Sequence, residues 1–163
     1  MYKRQDLVEA YRTLVEQLLA KIRTGLEHDF PLLRLHGDCH PGNILWDQGP
    51  NFVDLDDCCM GPAVQDLWML LSGEREERSL QVGWLLDGYF EFAELDPREL
   101  RLIEPLRTLR MIHYAGWLAR RWDDPAFPAA FPWFNTQRYW QDHILSLREQ
   151  AAALDEPPLS LSR

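Results

Sequence analysis

The chain has 163 residues, 46% of them hydrophobic, with seven tryptophans, so one globular domain over residues 1–163 with a sizeable core is expected. Its formal net charge of −9 speaks against nucleic acid or an anionic membrane as partner, since both reward a basic surface. No apolar run approaches the ~20 residues of a membrane span, and the opening Met1-Tyr2-Lys3-Arg4-Gln5-Asp6 has no signal-peptide core, which makes a cytoplasmic location the expectation.

Residues 4–28 carry Leu7, Tyr11, Leu14, Val15, Leu18, Leu19, Ile22 and Leu26 at i, i+3/i+4, i+7 spacing, the stripe of an amphipathic helix with its apolar side in a core. Leu32-Leu33-Arg34-Leu35, Ile44-Leu45-Trp46 and Phe52-Val53-Asp54-Leu55 read as short strands, and Asp47-Gln48-Gly49-Pro50 supplies the turn of a hairpin between the last two. Gly61-Pro62 then punctuates the chain before a helix of about 63–71. Leu80, Trp84, Leu85, Tyr89 and Phe92 sit at helical spacing within 74–94. Asp96-Pro97-Arg98-Glu99 resembles a capping box and starts a helix to about Trp122, which Pro105 should bend or split. His113, on that helix, reads as a satisfied core or groove histidine. The tract 123–134 is too rich in proline for a helix and its aromatics too dense for a free linker, so an ordered packed loop is expected. A last helix spans roughly 136–154, and the Pro157-Pro158 tail should be extended and loosely held.

Between the apolar runs stand Asp38, Asn43 and Asp54, three acceptor side chains in an unusual place. A hairpin presents its ends to the loop before it, so the 36–43 loop and the end of the Asp54 strand can face one cleft. Hard oxygen ligands there suit Mg²⁺, which is commonly completed by water and substrate phosphates. Taken alone, Asp66 near a helix start reads as a dipole partner. His36, Cys39, His40, Cys58 and Cys59 offer N and S donors, but at a spacing that matches no zinc pattern; three cysteines with no framework read as reduced thiols.

His36-Gly37-Asp38, with Asn43 five positions after the aspartate and Val53-Asp54 sixteen after it, resembles the catalytic segment of the aminoglycoside phosphotransferase and choline kinase family, relatives of the protein kinases. LHGDCHPGNILW, FVDLDD, GPAVQDLWMLL, IEPLR and RRWDDPAFPAAFPWF are similar to the carboxy-terminal half of cytoplasmic serine/threonine kinases of that family that act in bacterial stress responses. The resemblance implies an α+β, mostly helical fold, a protein-kinase-like C-terminal lobe with a small β-hairpin at the catalytic loop. It implies ATP as phosphate donor, Mg²⁺ as cofactor and a protein Ser/Thr hydroxyl as acceptor. Residue by residue, it makes Asp38 the catalytic base, Asn43 and Asp54 the metal ligands, and Asp66 the helix aspartate that supports the catalytic loop by accepting backbone hydrogens. His36 belongs to the same motif as support. Leu55-Asp56 stands where protein kinases have Phe-Gly. Asp56 is either a supporting acid beside Asp54 or a solvated one, and Asp57 has no assigned role.

The kinase architecture also needs a nucleotide-binding lobe with a phosphate-covering loop, a strand lysine and its paired glutamate, and no such segment precedes the catalytic loop here. The expectation is a C-terminal lobe that is inactive alone. A small-molecule acceptor (an amino alcohol, aminoglycoside or sugar) is the alternative within the class. Outside it stand a partner-binding module that associates, even with itself, through an exposed interlobe face, and a metal-dependent hydrolase, which lacks the further ligands a two-metal site requires.

Overall fold

The stripe beginning at Leu7 lies on helix α1 (Tyr2–Gly25), where Leu18 and Ile22 are each 2% exposed. This computed structural model describes residues 2–26 and 29–160, with side chains from residue 7 onward, so the predicted last turn at 27–28 lies outside the described residues. The chain packs as two units, Met1–Glu27 with Glu104–Glu156 and His28–Ile103 with Pro157–Arg163.

In the first unit α1 packs on α6 (Gln137–Ala153). Thr136 caps α6 by accepting from the backbone N–H of Tyr139, a bond worth about 1 kcal/mol. Lys21 tightens the far end, donating to the Ala151 carbonyl at 3.2 Å and pairing with Asp155 at 2.6 Å, where the helix dipole favours a cation. Helix α4 (Ile103–Arg120) opens with Pro105 in its first turn, where the missing N–H has no intrahelical partner to lose. The predicted helix from Asp96 to Trp122 is therefore two elements, a 3₁₀ stretch Pro97–Leu102 followed by α4. His113 lies exposed on α4, so the expected core or groove histidine is a surface one.

The proline-rich tract does form a short helix, α5 (Ala126–Ala130), against expectation. Pro125 sits at its N-cap and Pro128 at its third residue, positions whose N–H groups go unused in a helix, and the Asp124 carboxylate accepts from Ala126 N in their place. The aromatics pack as expected. Ala115, Leu118 and Phe134 are buried, with Trp117, Trp122, Phe127, Phe131, Tyr139 and Trp140 around them.

The second unit holds two small antiparallel ladders. β1 (Leu33–Leu35) pairs with β4 (Cys59–Gly61), Leu35 opposite Cys59, and β2 (Ile44–Trp46) pairs with β3 (Pro50–Phe52), Ile44 opposite Phe52. The third strand thus sits two residues earlier than predicted and stops before Asp54, whose left-handed backbone (φ 63°, ψ 63°) no strand can continue. A 3₁₀ turn, Leu55–Asp57, leads into β4, which sequence reading missed. The predicted helix at 63–71 is shorter, α2 (Val64–Leu67) and then a 3₁₀ turn Trp68–Leu70. α3 (Arg75–Tyr89) begins with a capping box between Glu74 and Glu77.

Asp96 caps the 97–102 stretch by accepting from Arg98 N. Glu99, however, does not close a box with it. Its carboxylate, 2% exposed, accepts from Val64 N at 3.0 Å and so anchors the start of α2. Nor is the tail loose: Arg75 donates to the carbonyls of Pro157 (2.5 Å) and Pro158 (3.2 Å), and Leu159 is buried.

Candidate active site

A closed ring of hydrogen bonds organises the loop between β1 and β2. The His36 ring donates from Nε2 to the Val53 carbonyl (2.8 Å), and Val53 N donates to the Asn43 carbonyl (3.0 Å). Asn43 Nδ2 then donates to the Asp38 carbonyl (3.0 Å), and Asp38 N donates back to His36 Nδ1 (3.4 Å). Because Nδ1 accepts, the ring requires the tautomer with the hydrogen on Nε2. His36 and Asn43 are 9% and 8% exposed, so these bonds form out of water, where an unmade one is costly.

A second layer holds the loop from α2. Asp66 accepts from the backbone N–H of His36 at 2.7 Å and of Gly37 at 2.9 Å, and Gln65 Nε2 donates to the Gly37 carbonyl at 3.0 Å. Trp68 Nε1 in turn donates to Gln65 Oε1 at 3.4 Å. Both polar backbone groups of Gly37 are therefore taken by one short helix. Gly37 has no substitute: its φ is +86°, and a Cβ there would lie 2.1 Å from the Asp57 carbonyl oxygen.

Each sequence-singled residue has a definite place. Asp38 is partly buried; its Oδ2 lies 3.7 Å from His40 Nε2, and the His40 ring accepts from Gly42 N at 3.0 Å. Donation by Asn43 Nδ2 leaves its amide oxygen as the acceptor for another group. Asp54 follows Val53 directly and is exposed, and its carboxylate caps nothing. The ring thus ties Asn43 and the residue before Asp54 to one frame. Asp56 and Asp57 are exposed in the turn after Asp54 and outside the ring, though the Asp57 carbonyl packs on Gly37. Cys39 is buried and its thiol pKa is raised, first by burial and then by the charges of Asp66 and Asp38. Among the described residues no group of three or more His, Cys, Asp or Glu side chains is arranged to hold a metal. Asn43 and Asp54 make a smaller donor set, one amide oxygen and one carboxylate, which fits a hard cation completed by other ligands.

Three contributors were not singled out from sequence. Gln65 and Val53 act through an amide and a backbone carbonyl, and Glu99 supports α2 from far along the chain. Burial holds the Glu99 carboxyl above its ordinary range, against the backbone donors of Val64 and Ala63.

A model of the phosphotransferase enzyme family matches residues 2–103, more than half of the chain and all of this loop network. The chain belongs to the phosphotransferase enzyme family. Among its relatives, stress response kinase A of Escherichia coli K12 is 51% identical over 156 residues, covering 96% of this chain and 48% of the relative. The serine/threonine protein kinase RdoA of Salmonella typhimurium is 50% identical over 153 residues, 94% of this chain and 47% of that one. The chain spans about half the length of the curated relatives it matches. Its mostly helical architecture with two small antiparallel ladders is the family's fold as seen here. No helix among the described residues is long and apolar enough to cross a membrane.

Proposed function

We propose that this chain supplies the catalytic loop of an ATP- and Mg²⁺-dependent cytoplasmic serine/threonine protein kinase that acts in a stress response, and that it forms the C-terminal lobe of a kinase-like fold. The observation that carries the reading is the closed ring through His36, Asp38, Asn43 and Val53, because phosphoryl transfer is catalysed mainly by alignment and charge placement. Asp38 orients the acceptor hydroxyl and accepts its proton. Asn43, through its amide oxygen, and Asp54, through its carboxylate, hold the metal. When bound, Mg²⁺ neutralises charge on the transferring phosphate. Asp66 and His36 keep the backbone under these groups in one geometry, and Asp56 gives electrostatic support beside Asp54. The protein acceptor and the stress-response role rest on the names of the relatives.

The test is Mg²⁺-dependent transfer of the ATP γ-phosphate to a generic protein, run with this chain alone and with this chain joined to the remaining length of its relatives. Transfer to Ser/Thr by the longer protein, silenced by Asp38→Ala, supports the reading; phosphate on an amino alcohol, aminoglycoside or sugar instead moves the acceptor to a small molecule. Leu45, Trp46, Phe52 and Leu55 are each more than half exposed, and by their apolar area the shorter chain is expected to self-associate in sedimentation experiments.

A further inference from the structure

The catalytic loop leans on a pair of thiols that the proposed chemistry does not use. Cys58 and Cys59 are both exposed and free. Cys58 lines a shallow cleft of about 430 Å³ together with His36, Cys39, Phe52 and Asp66. Cys59 opens β4 opposite Leu35, and its sulfur lies 3.4 Å from where a Cβ on Gly37 would stand. Gly37 is thus gripped from one side by Asp66 and Gln65 and pressed from the other by the Asp57 carbonyl and Cys59. There is no slack at that point.

We propose that Cys58 and Cys59 form a redox-modification site: a low-molecular-weight disulfide oxidises them to a vicinal disulfide, and forming that bond draws Asp57 and Cys59 off Gly37 and loosens the loop carrying Asp38. In the first step the Cys58 thiolate attacks one sulfur of the oxidant, whose S–S bond breaks and releases one thiol. In the second the Cys59 thiolate attacks the Cys58 sulfur, closing the Cys58–Cys59 bond and expelling the second thiol. Two cysteine thiols are oxidised and one disulfide is reduced to two thiols, which carry away the two protons.

Geometry argues that the bond and the present loop exclude each other. Adjacent Cα atoms are ~3.8 Å apart, whereas disulfide-linked ones usually stand ~4.4–6.8 Å apart. The eight-membered ring therefore needs a distorted backbone, while here Cys58 closes the 3₁₀ turn at φ −54°, ψ 127° and Cys59 is held in the β1–β4 ladder. A strained, exposed disulfide is readily reduced again, which suits a reversible modification and not a structural staple. Cys39 is excluded from the pair by burial, which also keeps its thiol protonated and a poor nucleophile. The loss of phosphotransfer on oxidation rests on the function proposed above; bond formation and loop opening do not.

The experiment treats the chain with oxidised glutathione and follows intact mass, peptide mapping and backbone amide exchange. The wild type is expected to lose two hydrogens without keeping glutathione, to leave Cys39 a free thiol, and to show exchange at Gly37 and Asp38 faster by roughly tenfold, reversed by dithiothreitol. Cys59→Ser should trap a glutathione adduct on Cys58, Cys58→Ser should lose the attacking thiol and form no disulfide, and the double variant should show no change in exchange. A stable adduct on the wild type, a protein that stays reduced, a bond to Cys39, or a vicinal disulfide that leaves exchange unaltered would each overturn the proposal. If no phosphotransfer is seen even in the reduced protein, the functional reading fails while mass and exchange still decide the redox site.

Discussion

Around Gly37 the contacts are hydrogen bonds to backbone atoms, from Asp66, Gln65 and the ring through His36 and Asn43; around Phe134 they are ring against ring, Trp122, Tyr139 and Trp140 with centroids 5.1–5.3 Å away. The first kind of packing is directional and admits one backbone course. The second tolerates many, since apolar contact rewards area and only weakly rewards angle. A phosphotransfer site needs the directional kind, because misplacing an acceptor oxygen by an ångström costs rate. The aromatic unit supplies stability and the loop unit supplies geometry.

That division can be broken at both ends. The largest effect is expected on chemistry: Asp38→Asn or Asp54→Asn should lower turnover of the full-length protein by roughly 10²–10⁴-fold with little change in melting temperature. Asparagine also tolerates the left-handed backbone at 54, so a fold defect would not explain the loss. Mutants with near-normal turnover would remove both roles.

Leu147→Ala or Leu118→Ala, each at a fully buried position in the aromatic unit, should instead cost about 2–5 kcal/mol in denaturant unfolding and leave the KM of the surviving enzyme unchanged. Asp66→Ala falls between the two kinds. It strips two backbone N–H groups of their acceptor, so a loss of roughly 2–4 kcal/mol is expected, with amide exchange rising first at His36 and Gly37. Uniform exchange across the chain would show that Asp66 supports the fold at large and not this loop.

The smallest effects are in pH, and they have opposite signs in the two regions. Burial raises the Glu99 pKa above 4.5, so the folded state keeps a proton that the unfolded chain loses; the stability of its unit should fall as pH rises from about 4.5 towards the raised value. His143 lies among the rings of Tyr11, Tyr139 and Trp140, and its buried Nε2 has no hydrogen-bond partner among the described residues. Burial lowers its pKa below 6.5, so the unfolded chain takes up the proton first and stability should fall as pH drops through that value. Tyr139, pushed up to about 12 by burial and then by Tyr11 and Tyr114, stays neutral throughout. Melting curves of Glu99→Gln and His143→Phe should each flatten one side of the profile, and the reverse assignment would refute the burial argument.

Long helices were legible in the sequence because periodicity reports burial along one element: α1 and α6 lie where the sequence places them. α3 lies within 74–94 too, but the face it buries is that of Val82 and Leu86, while Leu80 and Trp84 of its apolar stripe are exposed and Phe92 falls beyond its end. The motif residues Asp38, Asn43 and Asp54 were legible as a set of acceptors on neighbouring loops, and the ring ties Asn43 and the residue before Asp54 to one frame; Asp38 joins that ring through its backbone N–H and C=O. What stayed hidden was carried by atoms that every residue has. Val53 closes the ring with its own N–H and C=O, and the three-residue strand β4 is defined only by a partner far back in the chain. Glu99 misled for a related reason: its local spacing suits a cap on Asp96, but a buried N–H at Val64 is the partner it takes. At 126–130 the prolines argued against a helix, and only their exact slots in the first turn reverse that.

One consequence concerns the order in which the protein is made. The chain visits its first unit, leaves for the second, returns at Glu104 and leaves again at Pro157. Helix α1 emerges from the ribosome long before α6, with roughly 110 residues between them, which at ~5–20 residues per second is about 5–20 s of synthesis. The loop and both ladders are complete within that interval and can settle in sequence order. Helix α1, with Leu18 and Ile22 unburied, must wait, and during that wait it is the segment a chaperone is most apt to hold.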